Sequence, residues 1–234
     1  MKEVTLFLLE RGLSEEFLLL LLTLPIVTTL IGFGRHFIGI RTIGIYTPIV
    51  LTYAFYLLGI TETNGQTDLL LGVRLGLIIS ILVYALTSLG QTLTKKIRLH
   101  YLPKVAIIIS SVTIIAFLVL LLAAQLEQTA ILRINPVALI LIITTSEQFV
   151  STFVKKGFST ALLLSFETII VALISYAILS WPSFQNLLLT YPVISLLAIP
   201  LNFIIGSFKG LRIREYFRFQ DILSTNEPSR DSSK

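Results

Sequence analysis

Long apolar stretches, separated by short charged or Pro-, Gly- and Asn-rich breaks, recur along the chain. Seven can be marked, at residues 17–34, 42–60, 69–91, 105–126, 132–150, 157–179 and 192–208. A helix rises about 1.5 Å per residue, so runs of roughly 20 residues suit a hydrocarbon core about 30 Å thick. The pattern predicts an all-α polytopic membrane protein with about seven transmembrane helices. The second and fifth runs are the least regular, because each carries a proline among polar residues. Around the membrane domain (17–208), the pattern leaves an extracytoplasmic N-terminal segment (1–16), a basic amphipathic cytoplasmic segment (209–223) and a tail (224–234). The tail is too polar to bury apolar surface and is expected to be disordered.

Composition sharpens this reading. Of 234 residues, 55% are hydrophobic and only 13% charged, and the mean hydropathy is +0.90, which excludes an ordinary soluble domain. There is no cysteine, so disulfides, thiol nucleophiles and Cys-based metal sites are excluded, and two histidines offer little for a His-based one. The first run is too long, and lacks the small-residue site, for a cleaved signal. Net charge +5 would suggest nucleic acid in a soluble chain. In a membrane chain its placement matters more, and no nucleic-acid partner is expected.

Assigned to the nearer ends of the runs, Arg35, Arg41, Lys95, Lys96, Arg98, Lys104, Lys155, Lys156 and the C-terminal cations share one side. Lys2, Arg11, Arg74 and Arg133 are left on the other. The positive-inside rule then puts the N-terminus outside and the C-terminus in the cytoplasm. Trp181, Tyr176 and Tyr191 gather at the outer interface as anchoring aromatics. Arg212, Arg214 and Arg218, set among Leu211, Ile213, Tyr216, Phe217 and Phe219, suit a helix lying on an anionic inner leaflet, or simply a basic anchor.

A shift of 88 positions lays the first three runs on the next three and Pro48 on Pro136. Three helices per half make the second half enter from the opposite face, giving an inverted 3+3 repeat with a seventh helix added. Runs two and five then form a central pair. The first brings Gly39, Thr42, Gly44, Thr47 and Pro48 to one end; the second brings Arg133, Asn135 and Pro136, with Thr144, Thr145, Ser146 and Glu147 at its far end. Proline removes a backbone donor and glycine weakens a helix, so such segments need neighbouring helices, hydroxyls or water. Weakened helices in matching halves point to a transporter-type site; close helix packing accounts for the Gly and Thr equally well.

Glu167 falls near the middle of its run and should face inward, because an ionised carboxylate facing lipid is costly. Arg74 either snorkels to the outer interface or reaches Glu167. Glu147 is either a solvated helix end or a partner for Arg35, Arg41 or the Lys155/Lys156 pair. No lysine lies deep in a run for a Schiff base, no intramembrane Ser/His pair exists, and no GxxxxGK loop is present. No catalytic activity and no cofactor are expected of the chain by itself.

The string RHFIGIRTIGIYTPIVLTY at residues 35–53 resembles the signature of a bacterial seven-transmembrane domain usually fused to an inactive transglutaminase-like domain. There, an Arg precedes a Gly-Ile-x-Thr-x-Gly-x-x-x-Pro run, matched by Arg35, Gly39, Ile40, Thr42, Gly44 and Pro48. GLRIREYFRF resembles the closing motif through Gly210, Arg212, Glu215, Arg218 and Phe219. ILIITTSEQFV and SYAILSWPSFQNLLLTYP resemble the intervening fifth-helix and outer-loop segments. The 16 residues before the first run leave no room for the soluble domain, so the membrane part is expected to stand alone.

The resemblance implies a partner in systems that contain ATP-grasp peptide ligases or transglutaminase-like proteins. The Gly/Pro-bearing helix is also similar in style to the small membrane subunit of poly-gamma-glutamate synthases. The expected function is a non-catalytic inner-membrane subunit that docks a cytoplasmic enzyme and passes or tethers a peptide or amino-acid polymer. Arg35, Arg41, Arg212, Arg214 and Arg218 would present planar donor forks to carboxylate or phosphate, or to anionic lipid. Two alternatives stay open: a small secondary transporter or channel with its site between runs two and five, and a structural membrane anchor.

Overall fold

A computed structural model describes residues 7–8, 10–60, 67–95, 97, 100–126 and 134–207. The expectations for Arg133, Arg212, Arg214, Arg218 and the segments 209–223 and 224–234 fall outside those residues. Eight α-helices follow in order among the described residues: α1 Glu15–Phe33, α2 Tyr46–Gly59, α3 Leu69–Thr94, α4 Tyr101–Gln125, α5 Pro136–Lys156, α6 Phe158–Leu179, α7 Pro182–Thr190 and α8 Ala198–Ser207. A π-turn, Gly34–Ile38, prolongs α1, and a 3-10 segment, Pro192–Leu197, precedes α8.

Local chemistry sets several boundaries. Ser14 Oγ accepts the Phe17 N–H, Asp68 accepts from Leu70 and Leu71, and Asn135 accepts from Val137, each satisfying donors that a helix start leaves free. Pro136 occupies the first position of α5, where a missing N–H costs nothing. That helix is unbroken, so the fifth run is not the weakened partner that its proline suggested. Gly157, at φ 85°, closes α5 and opens α6 with no other residue between them.

Among the described residues, five elements are long and apolar enough to cross a membrane: α1 with its π-turn, α3, α4, α5 and α6. A sixth forms if α7 and Pro192–Ser207, bent by 98°, count as one broken span. Helix α2 has 14 residues, about 21 Å of rise, and falls short of a bilayer core. The matched helices of the two halves start 86, 90 and 89 residues apart, near the expected offset, although α2 and α5 differ in length and in how they begin.

Helix α2 is nevertheless the centre of the molecule, packed against α3, α5 and α6. Leu51, Ala54 and Phe55 are fully buried. The Phe55 ring meets Tyr176 edge-on at 6.4 Å, and both lie over α3 where Gly72 and Gly76 leave room. A Cβ at Gly72 would overlap the Tyr176 hydroxyl and stand 2.6 Å from the Phe55 carbonyl; one at Gly76 would run into the Phe55 ring. Tyr176 is thus a core residue and not an interfacial anchor, its hydroxyl donating to the Asp68 carbonyl at 3.1 Å. Trp181 and Tyr191 are exposed, as anchoring residues would be.

These contacts put the C-terminal ends of α2 and α6 beside the start of α3, at what is called here the Trp181 end. Lys95, Lys155 and Lys156 mark the other, basic end. Along one side, α1 packs on α2 and α6 and holds the last segment: Ser195 donates to the Leu22 carbonyl, and Asn202 Nδ2 to Thr29 Oγ1 at 2.8 Å. Pro25 interrupts the α1 ladder, and its carbonyl receives the Thr28 and Thr29 hydroxyls.

Candidate functional site

Between α1 and α2 the chain crosses without helix from Gly39 to Ile45. The π-turn hands over at Gly34, whose carbonyl accepts the N–H groups of both Gly39 (3.1 Å) and Ile40 (3.2 Å). Gly39 and Gly44, at φ 85° and 65°, bracket the stretch in the left-handed region that a side chain resists. The signature Gly-Ile-x-Thr-x-Gly is therefore a backbone device, with each glycine placed where the chain must turn out of or into a helix.

Helix α6 supplies the partners that the crossover lacks. The Arg41 N–H donates to Glu167 Oε2 at 2.5 Å, and the Ile43 N–H to Thr168 Oγ1 at 2.9 Å. Thr168 passes its own proton to the Leu164 carbonyl, which turns a lone pair toward Ile43. Thr42 Oγ1 bonds the Gly44 carbonyl at 2.7 Å. Two neighbouring side chains of α6 thus satisfy alternate backbone donors of an irregular segment, which hydrocarbon would otherwise forbid. Glu167 is the tenth residue of α6, about 14 Å from its start and about 18 Å from its end, close to half depth.

The tip of α2 adds a second element. Ile45 provides no side-chain cap, and the first turn carries the partial positive charge of a helix start. Thr47 Oγ1 is buried without a hydrogen-bond partner, while Tyr46 is 77% exposed and Arg41 is exposed. A helix start and a carboxylate that holds the backbone of the exposed Arg41 lie along this short stretch, an arrangement suited to a carboxylate-bearing or peptide ligand.

Of the intramembrane candidates, Thr42, Gly44, Thr47, Pro48 and Glu167 share this region. Asn135 and Pro136 do not: they open α5 near the Trp181 end. Glu147 lies on the exposed side of α5, and Arg74 on the side of α3 away from Gly72 and Gly76, which fits snorkelling. Arg35 is half-buried in the π-turn. Ile43 and Thr168 are not singled out by the sequence. A hydroxyl next to an intramembrane carboxylate was the available signal for Thr168.

The chain matches, over residues 3–223, the family described as 7 transmembrane helices usually fused to an inactive transglutaminase, and it belongs to that family. It is a multi-pass membrane protein of the seven-transmembrane class. No curated protein and no solved structure matches it.

Proposed function

We propose that the chain is a non-catalytic subunit of the bacterial inner membrane, with its N-terminus outside and its C-terminus in the cytoplasm. It serves a peptide-ligase or transglutaminase-like system in trans. In this reading an ATP-grasp ligase or transglutaminase-like protein docks at the basic end, and an acidic peptide or amino-acid polymer is tethered or passed along the crossover. One observation carries the reading: a helix-free segment at half depth, held by Glu167, that leaves Arg41 and the α2 start available. The family's usual fusion to an inactive transglutaminase supports a membrane module without chemistry of its own.

The test uses the full chain in detergent and a fluorescent oligo-glutamate, with oligo-glutamine as the neutral control. Binding of the acidic peptide alone is expected. It should weaken with salt and drop when Arg35 and Arg41 are both changed to Gln. Equal affinity for both peptides would contradict the reading. The same geometry supports a second reading, a small secondary transporter coupled through Glu167. There Glu167→Gln would abolish pH-coupled uptake into proteoliposomes while leaving oligo-glutamate binding in place.

A further inference from the structure

Helix α3 keeps one face buried along most of its length. From Gly72 and Gly76 it continues, in helical steps, through Ser80, Tyr84, Thr87, Gln91 and Thr94, all buried. The two glycines are filled by Phe55 and Tyr176. The five polar residues face a different environment. Tyr84 stacks on Phe149 of α5 at 5.2 Å, and the hydroxyls of Thr87 and Ser146 lie 3.1 Å apart. Across from them Thr145 is buried, its hydroxyl donating to the Ile142 carbonyl.

Residue counts set the depth of this seam. Ser80 is eight residues beyond Gly72, and Glu167 nine before Tyr176, so from the Gly72–Tyr176 contact they lie at about 12 and about 14 Å, nearly level. From Ser80 to Thr94 the stripe runs about 21 Å further, to the basic end. In helix α2, Phe55 stands only nine positions beyond the first residue, Tyr46, which brings the tip to about the level of Tyr84. Thr87, Gln91 and Thr94 lie beyond it.

Several oxygens of this seam are not satisfied. Ser80 Oγ, in a residue with no exposure, and Gln91 Oε1, in one 3% exposed, have no hydrogen-bond partner. Lipid cannot supply one, and apolar side chains would fill such an interface without that penalty. Successive members stand about one helical turn apart along the axis. Water is the ligand that meets scattered donors and acceptors with two to four hydrogen bonds each.

We propose that the α3–α5 seam from Ser80 to Thr94 binds a file of water molecules that enters at the basic end and stops at the depth of Glu167. It gives mid-membrane a one-sided aqueous contact. The inference rests on the membrane-spanning architecture and is independent of any enzyme partner or polymer.

Hydroxyl-radical footprinting of the full chain in lipid nanodiscs, run in ¹⁸O-labelled water, tests it without a mutation. Tyr84 and Phe149 should be oxidised several-fold faster than Phe117, which is exposed on α4 and faces lipid. Rates as low as that of Phe117 would show a dry packing seam and overturn the proposal. The absence of native cysteine permits a second readout. Gln91→Cys should react with a small cationic methanethiosulfonate added at the basic end, and Leu118→Cys should not. Equal protection at both positions would overturn the opening toward that end.

Discussion

The buried face of α3 is two surfaces on one helix. Toward the Trp181 end it is bare backbone at Gly72 and Gly76, and α2 and α6 press Phe55 and Tyr176 into the hollow. Toward the basic end, where α2 runs out, the same face bears Ser80, Tyr84, Thr87, Gln91 and Thr94. One half is closed by shape and the other is held by hydroxyls. The contrast shows where tightness is needed: the half-helix is clamped where it is present, and the interface below its tip keeps polarity that packing alone would discard.

Substitutions in the glycine half should have the largest effect. Gly72→Leu should prevent folding or lower the detergent melting temperature severely, since overpacking costs about 1–3 kcal/mol or more and here backbone is in the way. Gly76→Ala sharpens the point, because its obstacle is a side chain. Phe55→Leu should restore much of the stability of Gly76→Ala but none of that of Gly72→Ala, whose Cβ also meets the Phe55 carbonyl. Equal rescue at both sites would mean that α2 is not clamped as described.

Next comes the joint between the halves. Glu167→Leu strands the Arg41 N–H and should cost about 1–3 kcal/mol, whereas Glu167→Gln keeps an acceptor and should cost clearly less. Chemical denaturation in mixed micelles would read the difference. In the polar half the effects should be smallest. Thr87→Val should cost about 0.6 kcal/mol, typical of an interhelical hydrogen bond in a membrane, and a loss several times larger would mark this half as the structural one.

Much of this architecture is legible in hydropathy. The runs at 69–91 and 157–179 correspond closely to Leu69–Thr94 and Phe158–Leu179, because length and apolar content decide a lipid-facing helix. By average hydropathy the run at 42–60 reads as one span, yet its helix begins only at Tyr46, after Gly44 has taken a left-handed turn. The last run was similarly read as one segment, where Pro192 opens a 3-10 stretch before α8. Glu167 is expected from the sequence to face inward; in the structure its Oε2 accepts the backbone N–H of Arg41, a partner that no side-chain pattern reveals. The α3 stripe is hidden from hydropathy because a sliding window averages all faces of a helix, so five polar residues vanish among leucines and isoleucines. A count at helical period would have found them.

The central claim is that residues Gly39–Ile45 cross at half depth against α6 and do not emerge at the membrane surface. Because the chain has no cysteine, paired substitutions read this directly in native membranes. Oxidation of Ile43→Cys with Thr168→Cys should form a disulfide, since the two residues share a 2.9 Å hydrogen bond, while Ile43→Cys with Phe158→Cys should not. Efficient coupling to residue 158 and none to 168 would place the crossover at the basic surface, as an ordinary loop between two full spans, and would contradict the account.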